Sequence, residues 1–201
     1  MSVKAKLYDQ FRLPHGPLGV LAGRIMAKRS SNQERSAWTV SLLDLKPSDH
    51  VLELGYGPGL GLEAALPHLD TGRLVGLDHS STMRDMARRR LGPSSDRVEL
   101  LVGDAQALPA GIGSFDKVFS CNVWLFWRDP VAVLTALRTH LAPGATMAVT
   151  HLPRHGGAGR AATMKAGATI TGQLEQAGYH DIRQEVLDIE PVPAVCVLAS
   201  P

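Results

Sequence analysis

Between Val51 and Gly59 the chain reads Val-Leu-Glu-Leu-Gly-Tyr-Gly-Pro-Gly, a short apolar strand that breaks into alternating glycines, with a helical pattern from Leu60. No other stretch restricts the fold as much. Glycines let a turn adopt positive φ and let a ligand approach the main chain, while the following helix presents free N–H groups. Strand, glycine turn and helix in that order predict the first unit of an open α/β sheet with a nucleotide-like ligand at the turn.

From His50 onward, runs rich in leucine and β-branched residues alternate with helical patterns, which predicts βαβ units and a mostly parallel sheet. Strands are expected at 50–54, 73–77, 97–102, 115–122, 145–151, 182–187 and 192–198. Helices are expected at 60–69, 81–91, 130–140 and 162–177, with Gly92-Pro93 stopping the second and Pro143-Gly144 marking the turn after the third. Seven strands fit a doubly wound α/β sheet. Ahead of it, 18–28 and 32–43 read as two helices, with Ser30-Ser31-Asn32 as the N-cap between them. The chain thus divides into an N-terminal helical segment, 1–45, and a sheet domain, 46–201. A bare sheet would leave its ligand in water, so the two helices, with Tyr8 and Phe11 ahead of them, are expected to form a lid.

Several function classes can be set aside. The pattern G-x-G-x-x-G of dinucleotide sites needs glycine or alanine at position 60, where Leu60 stands, and Glu53 is ill placed beside a pyrophosphate. Apolar runs fall far short of the roughly 20 residues of a membrane span. Lys4, Lys6 and Asp9 interrupt any signal-peptide core, so cytoplasmic residence is expected. Cys121 and Cys196 fall in expected strands and read as apolar filler, and no spacing of histidine, cysteine and carboxylate predicts a metal site. A net charge of +2 does not predict a nucleic-acid protein, although 1–40 holds seven bases against two acids. Arg24 and Arg29 in that segment are candidates to meet an anionic group.

Glu53 to Gly59 resembles the first motif of class I S-adenosylmethionine-dependent methyltransferases, acid-x-G-x-G-x-G. Arg73 to Asp78 resembles that family's second strand, Val102-Gly103-Asp104-Ala105 its third motif, and Phe115 to Val118 and Leu141 to Gly144 the following two, all in order over about 48–200. The run Asn122 to Pro130 is similar to the small-molecule branch related to ubiquinone and menaquinone biosynthesis. The resemblance implies a Rossmann-like sheet, S-adenosyl-L-methionine as cofactor and a small-molecule methyl acceptor. It also implies cofactor contacts: Glu53, Gly55, Tyr56, Gly57 and Gly59 at the methionine end, Asp78 on the ribose hydroxyls, His79 beside the adenine. Asp104 and the Ala105 N–H would meet the adenine edge, and the Asn122 carbonyl the methionine amino group. Tyr56 stands where the family often has cysteine or serine, and His79 where it often has an apolar residue.

Trp124, Phe126 and Trp127 follow the fourth strand and are candidates to wall an apolar substrate pocket, two of them having equal claim to the core. His151, closing the fifth strand, is the candidate general base. Two other readings stay open: a cofactor-binding protein without catalysis, and a nucleic-acid methyltransferase, disfavoured because Val123-Trp124 follows Asn122 in place of a Pro-Pro-aromatic run. The acceptor's identity is open, and a short lid makes a homodimer over the site conceivable.

Overall fold

Side-chain alternation along the strands decides what each face of the sheet carries. In the computed structural model, which describes residues 15–201, α1 (Gly16–Lys28) and α2 (Ser30–Ser41) precede β1 (His50–Leu54). Then come α3 (Leu60–Ala65), β2 (Arg73–Asp78), α4 (Ser81–Leu91), β3 (Val98–Val102) and β4 (Phe115–Cys121). The chain closes with α5 (Pro130–Arg138), β5 (Leu141–His151), α6 (Arg160–Gln176), β6 (His180–Leu187) and β7 (Ala194–Ser200). Tyr8 and Phe11 lie outside the described residues.

Leu52 and Leu54 of β1 join Val75, Leu77, Val118 and Met147 beneath α5 and α6, whereas Val51 packs with Leu62, Leu74, Phe119 and Ala148 beneath α2, α3 and α4. Each large apolar side chain so buried contributes roughly 1.5–3 kcal/mol, against about 1 kcal/mol for a typical helix cap. The strands form one seven-stranded sheet in the order β3-β2-β1-β4-β5-β7-β6. β1 to β5 are parallel and β7 runs antiparallel to both its neighbours, which gives the doubly wound, Rossmann-like architecture expected. Strand order reverses between β1 and β4, and the crevice beyond the strand ends at such a reversal is where open α/β sheets bind ligands.

Several boundaries differ from expectation, and three of the differences have a local physical cause. Ser30, Ser31 and Asn32 do not cap α2; they form its first turn, with Arg29 at the N-cap and no side-chain cap bond. Asn32 Nδ2 instead donates to the Met26 carbonyl at 2.7 Å and Gln33 Nε2 to that of Ala27 at 2.9 Å, so these side chains satisfy the end of α1. Pro143-Gly144 is no turn outside the sheet, because β5 begins at Leu141 and pairs with Phe115, the register shifting before Lys117. The 60–69 helix is an α-helix only to Ala65, then a 3-10 turn over Leu66–His68.

The N-terminal helices share the core of the sheet. Val40 and Leu43 belong to the cluster beneath α2, α3 and α4, and Thr39 Oγ1 lies 2.8 Å from Thr150 Oγ1 of β5. Cys121 and Cys196 are both buried and free. Among the described residues no helix is long and apolar enough to cross a membrane.

Candidate functional site

The glycine turn starts as an extension of the sheet, with the Gly55 N–H donating to the Leu77 carbonyl at 2.7 Å and any Cβ there running into Val123. Gly57 (φ +51°) and Gly59 (φ +86°) occupy the left-handed region, which costs an ordinary L residue roughly 1–2 kcal/mol. They are needed for different reasons. A Cβ on Gly59 would press on Ala87 of α4 at 3.0 Å, whereas one on Gly57 would meet nothing within 4 Å. Gly57 thus faces open space, where nothing of the chain keeps a ligand from the main chain. Tyr56 turns the opposite way, its ring buried against Gly76 and its hydroxyl donating to the Leu101 carbonyl at 3.2 Å. Only its main chain belongs to the turn.

Asp78, buried at the end of β2, ties the turn to the sheet: Oδ2 accepts the Gly57 N–H at 2.8 Å and Oδ1 the Ser80 N–H at 2.9 Å. Each oxygen keeps a further lone pair for a hydroxyl donor. Burial raises its pKa, against the pull of those two N–H groups. His79 is exposed, with Nδ1 3.8 Å from Asp78 Oδ1. Asp104, also exposed, accepts the Gln106 N–H at 2.9 Å and the Gln106 amide at 3.1 Å, while Gln106 Oε1 accepts the Arg128 N–H. Gln106 was missed by sequence reasoning. Ala105, half-buried, packs against the main core.

At the end of β4, Asn122 sits at φ +59° and clamps the neighbouring loop, its amide donating to the Leu152 carbonyl at 2.9 Å and accepting the Leu152 N–H at 2.7 Å. Its side chain is therefore committed, and its carbonyl is the group left for a ligand. Trp124 Nε1 donates to Gln173 Oε1 at 2.6 Å, and its ring meets His151 edge-on at 5.5 Å. Phe126 is half-buried in the short turn that follows, whereas Trp127 is buried within the main core cluster. Burial first, then the charges of Arg35 and His155, lower the His151 pKa to about 4, so the ring is neutral at physiological pH.

Strand alternation puts Glu53 on the same face as Val51, beneath α2 and α3. Its carboxyl group lies against Gly61 of α3, where any Cβ would collide with it. Burial, then the Asp78 charge, raises the Glu53 pKa well above the usual carboxylate range, with the Leu62 N–H and Arg35 opposing. Arg35, only 6% exposed, is a site residue that motif reading passed over. Its charge acts on Glu53 of β1, Cys121 at the end of β4, His151 at the end of β5 and Arg154 in the loop that follows. The signal was present as polar Asn32, Arg35 and Thr39 at helical spacing on the face of α2 that also buries Ser36 and Val40. Arg24 lies elsewhere, lining with Lys28, Arg89 and Arg90 a cleft of about 630 Å3 between α1 and α4.

Five buried side-chain polar atoms among the described residues lack a hydrogen-bond partner, and three of them, Arg35 Nε, Glu53 Oε2 and His151 Nδ1, belong to this group. Buried polar groups are normally satisfied, so a cation, a carboxyl group and a neutral imidazole left wanting together indicate a polar ligand. The ammonium group of an amino-acid tail fits the unpartnered carboxyl oxygen of Glu53, and a ribose fits the free lone pairs of Asp78.

The chain matches the family described as a methyltransferase domain over residues 51–144. It is 32% identical over 181 residues to the uncharacterized methyltransferase YdaC of Bacillus subtilis, covering 90% of this chain and 98% of that one. A protein-L-isoaspartate O-methyltransferase of Bradyrhizobium is 29% identical over 160 residues, 79% of this chain and 66% of its own. Among solved structures, a putative methyltransferase in complex with the Haloferax volcanii Trm112 methyltransferase activator has a TM-score of 0.75 at 19% identity, covering 96% of each chain. A SAM-dependent methyltransferase from Aquifex aeolicus has a TM-score of 0.71 at 19% identity, covering 88% of this chain and 97% of that one.

Proposed function

As this chain belongs to the class I S-adenosylmethionine-dependent methyltransferases, we propose that it methylates a small molecule bound over the ends of β4 and β5. The observation that carries this reading is the open face of Gly57 at the reversal of strand order, with the buried Asp78 carboxylate accepting the Gly57 N–H. S-adenosylmethionine supplies a methyl group already activated by its sulfonium, so the chain need only bind, align and exclude water. Asp78 takes the ribose hydroxyls, and Asp104 and the Ala105 N–H take the adenine edge beside His79. Gly57 gives the tail access to the main chain, and the Asn122 carbonyl and Glu53 receive its ammonium group.

A small acceptor is favoured because the strand ends are covered. α2 is fastened to β5 through Thr39 and Thr150, and Arg154 in the next loop reaches back to Ser31 and Asn32. Trp124 and Phe126 wall the acceptor side, and Trp127 supports them from the core. His151, held neutral, accepts a hydrogen bond from the acceptor and orients its attacking atom. Holding acceptor and methyl group in line can supply about 7–11 kcal/mol of the barrier reduction. α1 and α2 keep water from the strand ends, and hydrogen-exchange protection over 16–35 should rise when S-adenosylhomocysteine is added.

The test is turnover of S-adenosylmethionine to S-adenosylhomocysteine with the dialysable and the retained fractions of a cell extract. Methyl acceptance confined to the dialysable fraction is expected. Acceptance confined to retained macromolecules would overturn the small-molecule reading, and S-adenosylhomocysteine binding without turnover in either fraction would overturn catalysis.

A further inference from the structure

Two guanidinium groups meet on one neutral oxygen. Asn32 Oδ1 accepts from Arg35 Nη1 at 3.0 Å and from Arg154 Nη2 at 2.5 Å, and Arg154 Nη2 also donates to Ser31 Oγ at 3.2 Å. Like charges brought this close repel, and the cost grows as water is removed. Burial, then the charges of Arg35 and Arg29, lower the Arg154 pKa to about 10. Among the described residues no carboxylate closes an ion pair with Arg35 or Arg154. Glu53 feels the Arg35 charge but remains outside ion-pair distance.

Strand order says which ligand this pair faces. Across the sheet, Asp104 follows β3, Asp78 ends β2, the glycine turn follows β1 and Asn122 follows β4, and these are the donor's positions in the reading above. The next strand is β5, which ends in His151, and Arg154 follows three residues later. Arg154 is therefore one strand beyond those positions, in the loop that follows His151, the candidate base for the acceptor. The cradle is also held in place beforehand. Asn122 clamps the loop at Leu152, and Asn32 Nδ2 is bound to the Met26 carbonyl, which fixes Oδ1 as the atom facing the guanidinium groups.

Building on the methyltransferase reading, we propose that Arg154, supported by Arg35 and Asn32, is an oxyanion subsite for the acceptor, so the molecule methylated carries a carboxylate or phosphate group. An oxyanion spans two guanidinium groups with charge-assisted bonds, removes their repulsion and leaves the rest of the acceptor against Trp124 and His151.

Calorimetry on the S-adenosylhomocysteine-saturated protein tests this with benzoate, benzamide and inorganic phosphate at one ionic strength. Benzoate and phosphate should bind, with benzamide, of the same ring and size, weaker by about tenfold or more. Arg154→Gln should abolish that preference while changing the Kd for S-adenosylhomocysteine by no more than about threefold, and Arg154→Lys should restore part of it. Equal binding of benzoate and benzamide would overturn the proposal. So would an Arg154→Gln variant that loses S-adenosylhomocysteine affinity while keeping that for 5′-methylthioadenosine, which lacks the amino-acid tail, since the pair would then serve the donor's own carboxylate. If Arg154→Gln does not fold, the wild-type contrast and Arg154→Lys still decide. A wild-type protein that binds no S-adenosylhomocysteine would overturn the methyltransferase reading itself, and the subsite with it.

Discussion

On the β3-β2-β1 side of the sheet, the contacts made by the strand-end acids are short in sequence: Asp104 to Gln106 and Asp78 to Ser80 span two residues, and Asp78 to Gly57 spans 21. On the β4-β5 side they are long: Trp124 to Gln173 spans 49, Thr39 to Thr150 spans 111 and Asn32 to Arg154 spans 122. The first half is a motif machine, in which a strand end and its following turn make a subsite almost by themselves. The second exists only when α2 is laid across the sheet. Donor recognition should therefore tolerate damage to the N-terminal helices better than acceptor recognition does.

The largest effect expected from a single change is at Gly57. Gly57→Val puts a branched side chain into the open space before the turn and into the left-handed region, and it should weaken S-adenosylhomocysteine binding more than about 100-fold by calorimetry. A variant that binds within a few-fold of wild type would mean that the ligand does not lie against this turn.

Paired variants sharpen the contrast between the halves. Asp78→Ala removes the acceptor of two N–H bonds and of the ribose hydroxyls, and bonds to a charged group contribute about 1.5–3 kcal/mol each. It should lower cofactor affinity by roughly 10–100-fold. Asn122→Ala, which loses both bonds to Leu152 and a side chain that tolerates φ +59° better than alanine does, should instead lower unfolding stability by about 1–3 kcal/mol in denaturant melts, with a smaller loss of affinity. If Asn122→Ala loses affinity and Asp78→Ala loses only stability, the division drawn here is the wrong way round.

Glu53→Gln should give the smallest effect, and its sign is diagnostic. The folded-state pKa is raised above the unfolded value of 4.5, so burial costs nothing below that pH and destabilises the fold progressively as pH rises toward the folded value. Thermal melts should show Glu53→Gln equal to wild type near the lower limit and increasingly more stable between about pH 5 and pH 8, while S-adenosylhomocysteine binding weakens. A stability difference that does not change with pH would show that Glu53 is not a buried, destabilising acid.

The element types, the parallel sheet and the glycine turn were legible in residues 50–200, because alternation, helical spacing and turn chemistry are properties of neighbours along the chain. The acids at the ends of β2 and β3 were legible for the same reason. Tertiary packing decided what those patterns leave open. It turned the Tyr56 ring into the core against Gly76, took Trp127 from the aromatic run into the main cluster and set Glu53 beneath α2 beside Arg35. It also chose Arg35 from among the N-terminal bases and joined it to Arg154 through Asn32, whose amide reads in sequence as a cap. A local pattern fixes which face a side chain takes but not what will stand opposite it, and here that partner lies more than a hundred residues away.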